Sequence, residues 1–177
     1  MKTTNLIICI AVAGASVSVE AAAEVLSVAG NGFEVRETAH IAAQPDKVFA
    51  ALLAPAHWWD SEHTFSGSAA NLVLEARAGG CFCEKLPGGG SAQHLTVVYV
   101  WPGKTLRLRG ALGPFQGLAV DGAMTWSVKS AADGTDLSLT YSIGGYLKNG
   151  FDELSKAADQ VLGDQVMRLK KSLEPAT

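Results

Sequence analysis

The chain has 177 residues, enough for one ordinary domain and too few for two large ones. Its 14 Lys and Arg against 17 Asp and Glu leave a net charge of −3. That balance gives no electrostatic case for a nucleic-acid partner, which needs a basic face to neutralise phosphates. Arg107, Arg109, Arg168, Lys170 and Lys171 are the only basic groupings, and they read as solvated strand and helix faces.

Residues 1–23 read as an export signal. Lys2 supplies a short basic start, residues 6–19 an apolar run, and Ala21 and Ala23 the small residues of a cleavage site after Ala23. Gly14, Ser16 and Ser18 dilute the run, which is too short for a comfortable membrane span. Cys9 has no lipobox-like context. The expectation is a mature chain from Glu24 that is periplasmic or secreted, with no stable span after cleavage.

Residues 24–32, with Gly30 and Gly32, read as a flexible lead-in. Residues 33–42 alternate as a first strand. Pro45 and Asp46 then open a helix whose apolar stripe is Val48, Phe49, Leu52 and Leu53, and Pro55 stops it. A second short helix or turn is expected over 55–60. Six further strands follow at 72–76, 81–86, 93–101, 104–110, 122–129 and 136–143, the last two joined through Asp133-Gly134. The longest helix spans 151–173, with Asn149 as its cap and Phe151, Leu154, Ala158, Val161, Leu162, Val166, Leu169 and Leu173 on one face. Gly163 interrupts it and calls for close packing or a bend. Residues 174–177 form a tail.

This order is α+β. A seven-stranded antiparallel sheet twists, and only the terminal helix is large enough to cover its apolar face. The sheet is therefore expected to curl around that helix, with two short helices between strands one and two.

Three local patterns accompany the element order: the segment Ile41-Ala-Ala-Gln-Pro-Asp-Lys-Val-Phe-Ala-Ala-Leu-Leu53, the strand opening Ala78-Gly-Gly-Cys-Phe-Cys-Glu84, and Met124-Thr-Trp126. Together they resemble the START-like superfamily (SRPBCC or helix-grip domains), including its polyketide cyclase and chaperone-ATPase-activator branches. The resemblance covers residues 33–173 and implies a helix-grip cup for one apolar ligand. The export signal departs from the cytosolic chaperone-activator relatives, so their co-chaperone role is not carried over.

Within such a cup, Trp58 and Trp59 read as rim aromatics for stacking on a ligand, and Phe82, Tyr99, Trp126 and Tyr146 as further lining. Glu84 shares a face with Phe82, and His94 opens the next strand. They are the candidate acid–base residues, since burial raises a carboxyl and imidazole titrates near neutrality. Tyr141 either lines or fills the space, and His40 reads as an exposed strand residue. His57, Asp60 and His63 fall at three-residue steps, yet this spacing is no established metal motif, and no metal is expected. Cys81 and Cys83 admit three readings: small packed side chains, a redox-active pair whose bridge needs a bulge, or ligand or metal contacts. Nucleophilic catalysis needs Cys83 beside His94 or His63. No GxGxxG, P-loop or nucleophile elbow is visible, so no cofactor is expected.

The functional expectation is a binding protein for a small apolar or aromatic molecule. The alternative is a cyclase/dehydratase-type enzyme using Glu84 or His94 in the same pocket. A thiol-dependent or metal-linked role through Cys81, Cys83, His63 and His94 comes third.

Overall fold

A computed structural model describes residues 22–174. Eight strands form one antiparallel sheet: β1 (Ala22–Ala29), β2 (Gly32–Ile41), β3 (Leu72–Leu74), β4 (Cys81–Lys85), β5 (Ser91–Trp101), β6 (Thr105–Arg109), β7 (Ala119–Ala131) and β8 (Gly134–Tyr146). The helices are α1 (Pro45–Leu52) and α2 (Asp152–Ser172). In space the strands run β1-β2-β8-β7-β6-β5-β4-β3. The β2–β8 pairing, from Gly32↔Gly144 to Ile41↔Thr135, is the one junction that joins the two halves of the chain.

The eighth strand is β1, in the stretch 24–32 that reads as a lead-in. It pairs with β2 through a two-residue turn, Gly30 and Asn31, with Ala29 opposite Gly32. Its exposed and half-buried positions do not alternate, so it carries no pattern of period two to betray it. Residues 1–21 of the expected export signal 1–23, and residues 175–177, lie outside the described residues.

Pro45 does open α1, with Asp46 in the first turn and Val48, Phe49 and Leu52 buried. The second short helix is replaced by single 3-10 turns at Pro55–His57, Ser61–His63 and Ala69–Asn71. Asp60 restarts the chain there, its Oδ1 accepting from the Glu62 N–H at 3.0 Å. The β7–β8 turn is Ala132-Asp133, one residue earlier than expected, because Gly134 already pairs with Ala131.

Alternation builds the core. Phe33, Val35, Ala39 and Ile41 of β2 and Leu137, Leu139, Tyr141 and Ile143 of β8 point inward onto Ala158, Leu162, Val166 and Leu169 of α2. Each fully buried large apolar side chain of this kind contributes about 1.5–3 kcal/mol. Asn149 does not cap α2: Phe151 holds the cap position with no side-chain hydrogen bond.

The same alternation turns Glu37 inward, where it is 1% exposed and lies close to the Asp159 carboxyl on α2. This contact explains Gly163. A Cβ there would stand 3.1 Å from Glu37 Oε2 and 3.5 Å from the Ala23 Cβ, so the glycine lets α2 approach β1 and β2.

Candidate functional site: a cavity with a buried histidine–carboxylate pair

Between α2 and the curled sheet lies a cavity of about 320 Å³. That is the small end of the range for small-molecule sites. Leu154, Ala158, Val161 and Leu162 wall it from the helix, Phe82, His94 and Tyr141 from the sheet. The segments 62–65 and 112–115 flank it on the loop side. The walls are almost wholly apolar, and His94 is the buried polar group among them.

His94 owes its inward direction to a β-bulge. On β4, Cys81, Cys83 and Lys85 turn outward while Phe82 and Glu84 turn inward. Across the ladder, Phe82 faces Leu95 but Cys83 faces Gln93, leaving His94 as an extra residue on β5. Regular pleating would send His94 and Leu95 to opposite faces; with the bulge both are buried. The bulge thus belongs to β5.

The inserted imidazole meets Glu84, with His94 Nε2 2.9 Å from Glu84 Oε2. Glu84 also accepts from the backbone N–H groups of Phe65 at 3.1 Å and Ser66 at 2.5 Å. Burial pushes the Glu84 carboxyl up, but hydrogen bonds from Ser66, Phe65 and His94 outweigh it and hold Glu84 below the ordinary value of 4.5. A carboxylate only accepts, so the proton on this pair sits on His94 Nε2. In the neutral imidazole this leaves Nδ1 as the acceptor, 3.4 Å from the Gln116 amide nitrogen. Phe65 stacks on the ring at 5.4 Å and 25° from one side, and Phe82 lies 5.4 Å away on another. Glu84 therefore joins two jobs: it orients the pocket histidine and ties down the backbone that carries Phe65.

Tyr141 is buried against the cavity with its hydroxyl fixed. It donates to Gly110 O at 2.9 Å and accepts from the Leu112 N–H at 2.9 Å, anchoring the segment that leads to Phe115. Desolvation keeps this phenol protonated, so it serves as a pin.

The expected lining divides. Trp59 and Phe82 line the cavity and touch each other edge to face, 5.5 Å between centroids. Trp58 and Trp126 pack against each other in the core beside a void of about 20 Å³, too small for a ligand. The Trp58 indole N–H donates to Ala51 O and ties that ring to α1. Tyr99 lies on the outer face beneath Arg107, because the second bulge of β5, at Val97/Tyr99, reverses its direction. Tyr146 ends β8 and is 72% exposed.

His57, Asp60 and His63 do not converge. His57 is exposed, Asp60 pairs with Arg168, and His63 Nδ1 takes a hydrogen bond of 3.2 Å from Gln165. Among the described residues no three His, Cys, Asp or Glu side chains are placed to hold a metal. Cys81 and Cys83 are joined as a disulfide on the outer face of β4, away from His94 and His63. His40 is half-buried at the surface and pairs with Asp133 and Asp136.

Sequence reading missed Phe65, Leu112, Phe115 and Gln116. Phe65 is the next aromatic after Trp58-Trp59, which is a usable signal. The others sit in the irregular segment around Gly113-Pro114, which has no periodicity to read.

A family model described as polyketide cyclase / dehydrase and lipid transport matches residues 32–174. The chain belongs to that family. Curated proteins return no match. Solved structures share the fold at low identity. A Mesorhizobium loti protein has 18% identity and a TM-score of 0.59, with 79% of this chain and 96% of that one covered. A Chromobacterium violaceum protein has 22% identity and a TM-score of 0.55, covering 81% and 98%. The di-domain ARO/CYC StfQ from the steffimycin biosynthetic pathway has 14% identity and a TM-score of 0.55, covering 81% of this chain and 50% of its own.

Proposed function

We propose that this family member binds a small apolar or aromatic molecule bearing one hydroxyl or enol group, with that group on His94. The observation that carries the reading is the buried imidazole–carboxylate pair at the wall of a largely apolar cavity. Apolar walls supply affinity, and one oriented polar group supplies direction. His94 Nδ1 accepts from the ligand in place of the long contact to Gln116.

The test is fluorescence titration with 2-naphthol and naphthalene. Wild-type protein should prefer 2-naphthol by about tenfold, the worth of one hydrogen bond, and His94→Ala should abolish the preference. Equal binding of both probes, or binding of neither, refutes the reading.

The second reading is a cyclase/dehydratase-type activity, favoured by the same pair. His94 Nδ1 would take a proton from carbon beside a carbonyl while Glu84 stabilises the imidazolium. Exchange of the methyl protons of 2-acetonaphthone in heavy water, faster with wild type than with His94→Ala, supports it; equal rates discard it.

We also infer export, on the basic–apolar–small pattern of residues 1–23 and on a disulfide that suits an oxidising compartment. Cleavage after Ala23 trims Ala22 and Ala23 from β1 and keeps its pairs from Glu24↔Arg36 to Ala29↔Gly32. The mass of the protein recovered from a periplasmic fraction checks this; an intact N-terminus sinks it.

A further inference from the structure

The loop side of the cavity holds a second imidazole, that of His63, and its neighbours fix where its proton sits. Gln165 is wholly buried on α2, and its Oε1 accepts from the Asp60 backbone N–H at 2.8 Å. A backbone N–H only donates, so this contact decides which end of the amide is oxygen. The NH₂ end therefore faces His63 Nδ1, at 3.2 Å. An amide nitrogen donates and does not accept, so Nδ1 is the acceptor, and the neutral ring carries its proton on Nε2.

The base of the ring is held as firmly. His63 closes the turn Ser61–His63, its N–H donates to Asp60 O at 3.1 Å, and its C=O accepts from the Trp59 indole at 3.1 Å. Gln165 lies behind the cavity wall, whereas His63 is part of it. The ring thus turns its Nδ1 edge to the helix and its far edge, with Nε2, to the mouth. Nε2 hydrogen-bonds to no described residue, and the side chain is exposed.

The two cavity histidines have opposite sense. His94 places its Nε2 proton on Glu84 and offers Nδ1 as an acceptor. His63 places Nδ1 on Gln165 and offers Nε2–H as a donor. Both line the same cavity of about 320 Å³, and Phe65, two residues beyond His63, stacks on His94, so one small ligand can meet both. Glu62 is an exposed carboxylate at the same mouth. It opposes an anionic group beside His63 and leaves an uncharged acceptor as the match.

We propose that His63, positioned by Gln165, is a binding residue that donates through Nε2 to an uncharged carbonyl oxygen of the ligand. The step rests on the pocket reading above and narrows its ligand class. The ligand carries a hydroxyl for His94 at its buried end and a carbonyl for His63 at the mouth. Because the mouth is wet, the second bond is one neutral hydrogen bond of middling strength, about fivefold in affinity.

The experiment is fluorescence titration at pH 8 with 6-acetyl-2-naphthol and 6-isopropyl-2-naphthol, which share a shape and differ in the carbonyl oxygen. Two variants separate the ring's jobs. His63→Asn puts an amide oxygen where Nδ1 stood, keeps the Gln165 contact and removes the Nε2 donor. His63→Gln puts an amide NH₂ at the Nε2 position. The ratio of acetyl to isopropyl affinity should be about fivefold higher in wild type than in His63→Asn. His63→Gln should restore most of it, and 2-naphthol affinity should be the same in all three. 6-Hydroxy-2-naphthoate, with a carboxylate at the mouth, should bind more weakly than the ketone. Two-bond proton–nitrogen NMR of the free protein should show His63 as the Nε2–H tautomer. An unchanged ratio in His63→Asn overturns the proposal, and so does an Nδ1–H tautomer. If wild type binds 2-naphthol no better than naphthalene, the hydroxyl reading at His94 fails. The hydroxyl-free pair 2-acetonaphthone and 2-isopropylnaphthalene then still decides His63. If no probe of either series binds, both fall.

Discussion

Replacing Glu84 with Gln tests how the site is held together. Glu84 accepts three N–H groups, from Ser66 on Oε1 and from Phe65 and His94 on Oε2. A Gln amide has one oxygen. Placed at the Oε2 position it keeps Phe65 and His94 as donors but sets its own NH₂ against the Ser66 N–H. One bond to a charged acceptor is lost, and two others weaken as the charge disappears. Bonds to charged groups contribute about 1.5–3 kcal/mol each, against about 0.5–1.5 for neutral ones. Relief from burying a charge offsets part of this loss. The offset is the smaller effect, because the hydrogen bonds hold the Glu84 carboxyl below its ordinary value despite burial. Glu84→Gln should therefore lower unfolding free energy by about 2–4 kcal/mol at pH 7. The pH dependence gives the sharper reading. A folded-state pKa below the unfolded 4.5 means that Glu84's contribution is complete above that value. It is lost as pH falls through the folded pKa. Urea unfolding of both proteins from pH 7 to pH 3 should show their difference shrinking below 4.5, since Asp60, Asp121 and Glu153 titrate alike in each. A constant difference across that range, or one under about 0.5 kcal/mol at pH 7, refutes the account.

Glu37 should behave with the opposite sign. Burial and the adjacent Asp159 push it up to about 8, so between 4.5 and 8 the folded protein holds a proton that the unfolded chain has released. Stability should fall with rising pH across that window, by at most about 1.4 kcal/mol per pH unit for one proton. Glu37→Gln should remove the slope and be the more stable protein at pH 8, which thermal unfolding at several pH values will show. Tyr141→Phe should cost about 1–3 kcal/mol, because it leaves the Leu112 N–H without its partner; faster amide hydrogen exchange at Leu112 is the accompanying signal. Trp58→Ala should destabilise by about 3–5 kcal/mol as a core deletion. Trp59→Ala adds a direct loss of 2-naphthol affinity, because of this pair only Trp59 lines the cavity. Calorimetry and titration on the two variants separate these effects.

Much of the fold was legible because its signals are local. The alternation of β8, the stripe of α2 and the Pro45 helix start depend only on residues within a few positions of each other. Strand β1 escaped because an exposed edge strand needs no apolar face, and its pairing with β2 is decided by the neighbour and the Gly30-Asn31 turn. Glu84 and His94 were legible as residue types on adjacent strands, but their direction was not. Strict alternation, with Leu95 in the core, turns His94 out to solvent. Inward His94 requires that two residues of β4 face three of β5, a property of the pair of strands that neither strand displays alone.

The same reasoning explains why aromatic content was a poor guide to the cavity wall. Trp58 and Trp59 are adjacent in sequence and both nearly buried, yet one indole N–H donates back to α1 and the other to His63 O. The two rings have different neighbours: Trp58 packs on Trp126 in the core, while Trp59 packs on Phe82 and lines the cavity. Tyr99 was displaced by the second bulge of the same strand that the first bulge made functional. β5 thus turns one ring, His94, into the pocket and another, Tyr99, out of it, by the same device used twice within six residues. Burial follows composition, whereas the side a ring faces follows the register of the ladder. In this family member it is the register of β5 that turns the buried imidazole of His94 into the cavity wall.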